Sequence, residues 1–200
     1  MAALRRDGTG NPMSAVLRQA PNILSGLRLV AAPVAAWLIL NAYDMAALMV
    51  FVFAGLSDAA DGYLAKRFGL ASRFGAILDP AADKLLMLAS FLSLAAVGAV
   101  PVWLTALVIG RDLAIVAGVA LARLLSIPLE VRPLYVGKAS TVIQVVYIAL
   151  VLLLLTLHEP PPMAEKIGEV SVTVLAVWSF LAYALVWLKA ALAPQGDGAV

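Results

Sequence analysis

Asp58, Asp61, Asp79 and Asp83 are the residues of this chain best suited to chemistry. They lie among apolar runs long enough to be membrane-embedded, where a charge at the bilayer centre costs about 2.5–3.5 kcal/mol on insertion scales. If the four converge, neighbouring carboxylates at ~4 Å repel by about 4 kcal/mol per pair at an effective dielectric near 20. Convergence therefore calls for cations, and two divalent ions would neutralise the four charges. Oxygen-only ligands suit hard metals, so the expected cofactor is Mg²⁺ or Mn²⁺, two per site. A two-metal centre can clamp a pyrophosphate, polarise its phosphorus and stabilise a leaving phosphate.

The elements that would position these acids are helices in a bilayer. The chain is 64% hydrophobic and 13% charged, with a mean hydropathy of +1.00. A soluble domain is roughly half apolar and a quarter charged. Six stretches reach the ~20 residues a spanning helix needs. They run over Ile23–Ala42, Ala46–Lys66, Ala76–Ala96, Val102–Leu124, Lys138–Leu157 and Val170–Leu192. Pro101 and the Pro160-Pro161-Pro162 run break the pattern between spans. The expected fold is an all-α integral membrane protein of six transmembrane helices. Residues 1–20 read as a cytosolic arm, 21–192 as one six-helix domain and 193–200 as a disordered tail.

Charge sets the orientation. Arg5, Arg6 and Arg18, then Lys66, Arg67 and Arg73, then Arg123, Arg132 and Lys138, and finally Lys189 all fall on one side of a six-span arrangement. The other side has Tyr43-Asp44, the uncharged Val97–Pro101 turn and the His158–Glu169 loop with Lys166 alone. The basic side is therefore read as cytoplasmic, with both termini there. The net charge of +2 is too small to argue for nucleic acid, and with no cysteine there is no disulfide framework.

With this topology the acids fall one to two turns inside the cytoplasmic boundary. Asp58 and Asp61 are spaced i,i+3, and Asp79 and Asp83 i,i+4, so each pair shares a helix face. A short connection makes spans two and three antiparallel neighbours, with the acids facing a cavity open to the cytosol. Gly62 and Gly75 allow close approach of a ligand, and Lys66, Arg67 and Arg73 at the rim suit phosphate.

The run Asp58-x2-Asp61-Gly62-x2-Ala65-Lys66-x8-Gly75-x3-Asp79-x3-Asp83 resembles the signature of the CDP-alcohol phosphatidyltransferases. Only Lys66 departs, since the family usually has arginine there. Lysine keeps the charge and loses the bidentate fork. The resemblance extends over most of the chain, more loosely at both ends. It implies transfer of a phosphatidyl group from CDP-diacylglycerol to an alcohol with release of CMP. It also implies that Asp58, Asp61 and Asp79 ligate metal, and that Asp83 is the base that takes the acceptor's hydroxyl proton and also a possible ligand. Asp61, Gly62, Ala65, Lys66 and Gly75 would hold the nucleotide and its phosphates, and a homodimer is expected.

The acceptor is read from a second group of residues. Arg111-Asp112 in span four, with Lys138, Thr141 and Gln144, resembles the eukaryote-type cardiolipin synthases of that family. This favours phosphatidylglycerol as acceptor, with glycerol 3-phosphate second. The candidate acceptor residues are Asn22, Arg28, Arg73, Arg111, Asp112 and Lys138. Plainer readings stand beside these. Arg28 also fits a snorkelling arginine, Asn22 a helix N-cap, Arg111 and Asp112 structural pairs with other helices, and Lys138 the positive-inside bias alone. His158 reads as a surface residue, and the four tryptophans as interface or packing aromatics. The competing functions are a cation transporter, whose site belongs near mid-membrane rather than beside basic residues, and a non-catalytic assembly protein, which has no use for four acids at this spacing.

Overall fold

The computed structural model describes residues 12–68, 75–125, 134–158 and 162–192, and their side chains over 26–57, 81–125, 134–158 and 163–192. Within these bounds the chain is all-helical. Six helices follow in order: α1 Pro12–Leu40, α2 Asp44–Phe68, α3 Gly75–Ala96, α4 Val102–Leu124, α5 Tyr135–Leu157 and α6 Pro162–Leu192. Each of α2 to α6 contains one of the expected apolar stretches, and α1 contains the first but for its last two residues. Helix α1 starts eleven residues before Ile23, and α6 starts at Pro162 rather than Val170. Both open on proline, whose fixed φ and missing N–H suit the first helical turn. Residues 12–20, expected as part of an arm, are therefore helical.

The turns are set by backbone hydrogen bonds. After α3, Gly98 has φ +77°, the Gly98 amide bonds to Ala95 O and the Ala99 amide to Leu94 O at 2.9 Å. This is the double bond of a Schellman cap, which needs a left-handed residue. The same cap ends α1, with bonds from Ala42 to Ile39 and from Tyr43 to Leu38. There the left-handed position, φ 57°, is filled by Ala42 rather than glycine.

Helix α1 packs most extensively against α3 and next against α2; α5 packs on α6 and α2, α4 on α6, and α3 more lightly on α4 and α5. Among the described residues α1 thus contacts both α3 and α2, the two helices that carry the motif. Small residues make this possible: Ala32 and Ala35 of α1 and Ala47 and Ala54 of α2 are all buried, letting backbones approach as membrane helices do. The core continues through Phe91, Leu104, Tyr147 and Leu152. Tyr147 stacks on Phe91 with ring centroids 6.4 Å apart, and it lies so close to Gly168 of α6 that a Cβ there would meet its ring at 2.6 Å.

Large apolar side chains stand exposed on every helix, among them Trp37, Met49, Leu88, Val116, Val146 and Leu181. Such a surface needs an apolar environment. Among the described residues, α4, α5 and Met163–Leu192 of α6 are long and apolar enough to cross a membrane, while Gly26–Leu40 and Asp44–Ser57 are shorter apolar helices. Trp37 stacks on Tyr43 at one end of the bundle. Trp103, also exposed, lies in the first turn of α4, and aromatics at helix ends suit a membrane interface.

Candidate active site

The motif falls on two helices. Positions 58, 61, 62, 65 and 66 lie in the last part of α2; position 75 opens α3, and 79 and 83 follow within its first turns. The backbone is helical at all four acids, so the i,i+3 and i,i+4 registers hold. The side chains of Asp58, Asp61, Asp79, Ala65, Lys66 and Asn22, and Gly62 and Gly75 with them, lie outside the described residues, as do Arg73 and Arg132 altogether.

Asp83 is the described member of the quartet. Its carboxylate accepts a hydrogen bond from Nη1 of Arg28, reaching across from α1. The two differ in environment: the Arg28 side chain is 1% exposed, that of Asp83 46%. A guanidinium so deeply buried is tolerable only with strong partners. The bond joins α1 to α3, the most extensive helix contact among the described residues. Arg28, which also fitted a snorkelling arginine, is buried and bonds to one of the motif acids.

A second polar chain crosses the bundle. Lys84, next to Asp83, donates to Oδ2 of Asp112 on α4. Arg111 donates to Oδ1 of the same carboxylate at 2.5 Å and to Oγ of Ser179 on α6. Arg111 and Asp112 were not required to pair, since adjacent helical residues point to different faces. They do so here because the long guanidinium reaches round to the carboxylate. Nε of the buried Arg111 has no hydrogen-bond partner among the described residues.

This chain borders a cavity of about 260 Å³ whose wall includes Lys84, Arg111, Asp112, Lys138, Thr141 and Tyr183. Three of the residues expected at the acceptor, Arg111, Asp112 and Lys138, are therefore together. Lys138 lies 6.0 Å from the Tyr135 ring centroid, and the Tyr183 hydroxyl accepts from the Leu134 amide at 3.3 Å, tying α6 to the start of α5. Gly137 keeps this junction close, because a Cβ there would meet the Tyr183 hydroxyl at 3.0 Å. Gln144 donates to Ser140 and lines an adjoining cavity of about 340 Å³ that also has Asp83, Lys84 and Asp112 in its wall.

Lys84, Ser179 and Tyr183 were not expected at the site. Lys84 carried a signal, a lysine directly after the last acid of the motif. Ser179, between Trp178 and Phe180 in an apolar helix, carried none. His158 caps α5 in a left-handed conformation and is exposed, as a surface residue should be.

A family model described as CDP-alcohol phosphatidyltransferase matches residues 18–194. The chain belongs to this family. Among curated proteins it is 35% identical over 147 residues to a cardiolipin synthase (CMP-forming) / mitochondrial hydrolase fusion protein of Schizosaccharomyces pombe, covering 66% of this chain and 25% of that protein. It is 33% identical over 145 residues to the Homo sapiens cardiolipin synthase (CMP-forming), covering 64% and 48%. A chloroplastic CDP-diacylglycerol--glycerol-3-phosphate 3-phosphatidyltransferase of Oryza sativa is 32% identical over 150 residues, covering 66% and 46%. The chain thus spans between a quarter and a half of the length of these relatives. Membership of this family, with three helices fit to cross a bilayer, makes it a membrane protein.

The metal expected from the acids can be weighed against the donors. Among the described residues no group of three or more His, Cys, Asp or Glu side chains comes together, and Asp83 is the only motif acid among them. Its carboxylate lies half-exposed at a cavity wall and is paired with Arg28. The donor set of four carboxylates in helical register fits a hard divalent cation.

Proposed function

We propose that this protein transfers the phosphatidyl group of CDP-diacylglycerol to phosphatidylglycerol, forming cardiolipin and releasing CMP. The observation that carries this reading is the half-exposed Asp83 carboxylate, fixed by buried Arg28, in the wall of a cavity that adjoins a basic pocket. The names of the yeast and human relatives support the choice of acceptor.

In this reaction the acceptor hydroxyl gives its proton to the Asp83 carboxylate as its oxygen bonds to the phosphatidyl phosphorus. The P–O bond of the pyrophosphate bridge breaks, and its electron pair leaves on CMP. Arg28 keeps the base in one orientation, which is worth more to rate than to stability, because misplacing a reacting group by about 1 Å costs on the order of 10²-fold. Lys84, Arg111 and Lys138 supply positive charge where the acceptor's phosphate must lie. Asp112 holds Lys84 and Arg111 apart at fixed positions, and Ser179 anchors Arg111 from α6. Asp58, Asp61, Asp79 and Asp83 would hold Mg²⁺ or Mn²⁺, two ions per site, which when bound neutralise the pyrophosphate and polarise its phosphorus.

The same reading includes six spans with both termini and the site on the cytoplasmic side, supported by the lysine and arginine distribution, and a homodimer, supported by the resemblance of the sequence to its family. A second acceptor is favoured by one finding: the rice relative is named for glycerol 3-phosphate and is about as similar as the others. The test offers purified protein CDP-diacylglycerol with each acceptor in turn, and identifies the product by mass. Cardiolipin from phosphatidylglycerol is expected. Phosphatidylglycerophosphate as sole product transfers the assignment to glycerol 3-phosphate; no product with either removes both.

A further inference from the structure

We infer that the acceptor is bound as a lipid, with one acyl chain lying in a groove between α3 and α4, separate from the groove that adjoins Arg28. The inference rests on the phosphatidyl-transfer reading and specifies how its acceptor enters.

Two cavities of opposite character meet at one set of residues. The polar one, with Arg111, Lys138 and Tyr183, shares Lys84, Asp112, Val116 and Thr141 with the apolar one. Away from that shared wall the second cavity is lined by Leu85, Leu88, Phe91, Val108, Ile109 and Leu113. Its volume, about 340 Å³, is within the range of small-molecule sites. Helical rise gives its length: from Asp83 to Phe91 the groove runs roughly 12 Å along α3, and α4 returns beside it with Val108 near Phe91 and Asp112 near Lys84. Leu88, Leu113 and Val116 are exposed on the outside of the bundle, so the groove opens sideways, toward lipid, along its length. Helices α3 and α4 touch only lightly, which leaves the slot between them.

The charge at its mouth says what head would follow the tail. Lys84, Arg111 and Lys138 stand there with the carboxylates of Asp112 and Asp83, so the mouth carries one net positive charge among these residues (three cations, two anions) and suits a phosphodiester. Asp83 lies in the apolar cavity's wall at this same end. A chain lying in the groove with its phosphate at the mouth therefore brings its head-group hydroxyl to the base.

A second apolar groove lies on the other side of the Arg28–Asp83 pair. It is formed by α1 and α2, has a volume of about 660 Å³, and counts Arg28, Val34, Met49, Phe53 and Leu56 in its wall. A reaction that joins a lipid to a small soluble alcohol needs one such groove; one that joins two lipids needs two. The ion pair that orients the base stands between them.

The test uses the full chain in lipid nanodiscs. Leu88→Phe and Leu113→Phe add bulk in the α3/α4 groove without adding polarity. Both are expected to raise the KM for phosphatidylglycerol by about tenfold or more, since each methylene kept out of the groove forfeits its burial. Turnover of the deacylated head group, glycerophosphoglycerol, and the KM for CDP-diacylglycerol should stay at wild-type values. Unchanged KM for phosphatidylglycerol in both variants overturns the inference, and so does an equal loss on the lipid and the deacylated acceptor. Independently of any variant, phosphatidylglycerol with a photoreactive acyl chain should label wild-type residues 85–91 or 108–116. Label confined to residues 27–57, or blocked because a second copy of the chain covers the α3/α4 face, overturns it. A wild-type enzyme that uses glycerol 3-phosphate and not phosphatidylglycerol removes the acceptor reading itself, whereas cardiolipin formation with label elsewhere removes only the groove.

Discussion

Arg28→Gln separates the site's chemistry from the fold's stability. Removing one partner of a buried ion pair usually costs about 3–5 kcal/mol, because the other charge is stranded. Here the member removed is the buried one, at 1% exposure, and the member that stays, Asp83, is 46% exposed and can be solvated. The desolvation cost of the guanidinium disappears with it. The expected stability change is thus nearer the ~0–1 kcal/mol of exposed pairs, a small shift of the thermal midpoint in detergent. Activity should respond differently. Without Arg28 the carboxylate loses its bond from α1, and kcat should fall about 10²-fold with little change in the KM for CDP-diacylglycerol. Arg28→Lys keeps the charge but not the fork and should recover part of the loss. The assay is CMP release at saturating substrates beside a melting curve on the same preparation. A kcat within about threefold of wild type, in a protein that melts normally, would refute the claim that Arg28 positions the base. A kcat loss that merely follows the unfolded fraction would refute it too.

Asp58→Asn and Asp79→Asn should each abolish turnover that depends on added Mg²⁺ or Mn²⁺ while the protein stays folded; metal-stimulated turnover retained in both would remove the metal role from these acids. Ser179→Ala removes a buried bond to a charged group, worth about 1.5–3 kcal/mol, and should raise the acceptor KM more than that of CDP-diacylglycerol, a difference read directly from initial rates. Gly168→Ala should destabilise: the new Cβ meets the Tyr147 ring at 2.6 Å, overpacking costs about 1–3 kcal/mol, and the helix-propensity gain of about 1 kcal/mol offsets only part. Ala42→Gly should do the reverse, raising the melting temperature by relieving a left-handed alanine at the α1 cap.

The helices were legible because a bilayer imposes one length and one composition on whatever crosses it. Hydropathy locates the span, however, not the helix. It missed the first turns of α1 and α6, where Pro12 and Pro162 start helices that the apolar window does not reach. Asp83 was legible from motif spacing. Its partner was not, because Arg28 lies on a different helix and no local pattern links them; only the packing of α1 on α3 does. The same holds for Ser179, whose neighbours give no hint that it faces Arg111. Arg111, Asp112 and Lys138 were read together as acceptor residues and share one cavity, since charges within apolar helices have few places to converge. Direct pairing of spans two and three was expected from their short connection; the stretch that would carry it, 58–80, lies outside the residues whose side chains are described.

The most direct measurement is CMP release by Asp83→Asn beside wild type, each with CDP-diacylglycerol and phosphatidylglycerol, together with the affinity of each protein for CDP-diacylglycerol. Asparagine keeps the shape and still accepts from Arg28, but it cannot take the acceptor's proton. The account predicts CMP release lower by about 10²–10⁴-fold, with CDP-diacylglycerol bound as tightly as by wild type. Near-normal CMP release from Asp83→Asn would contradict it.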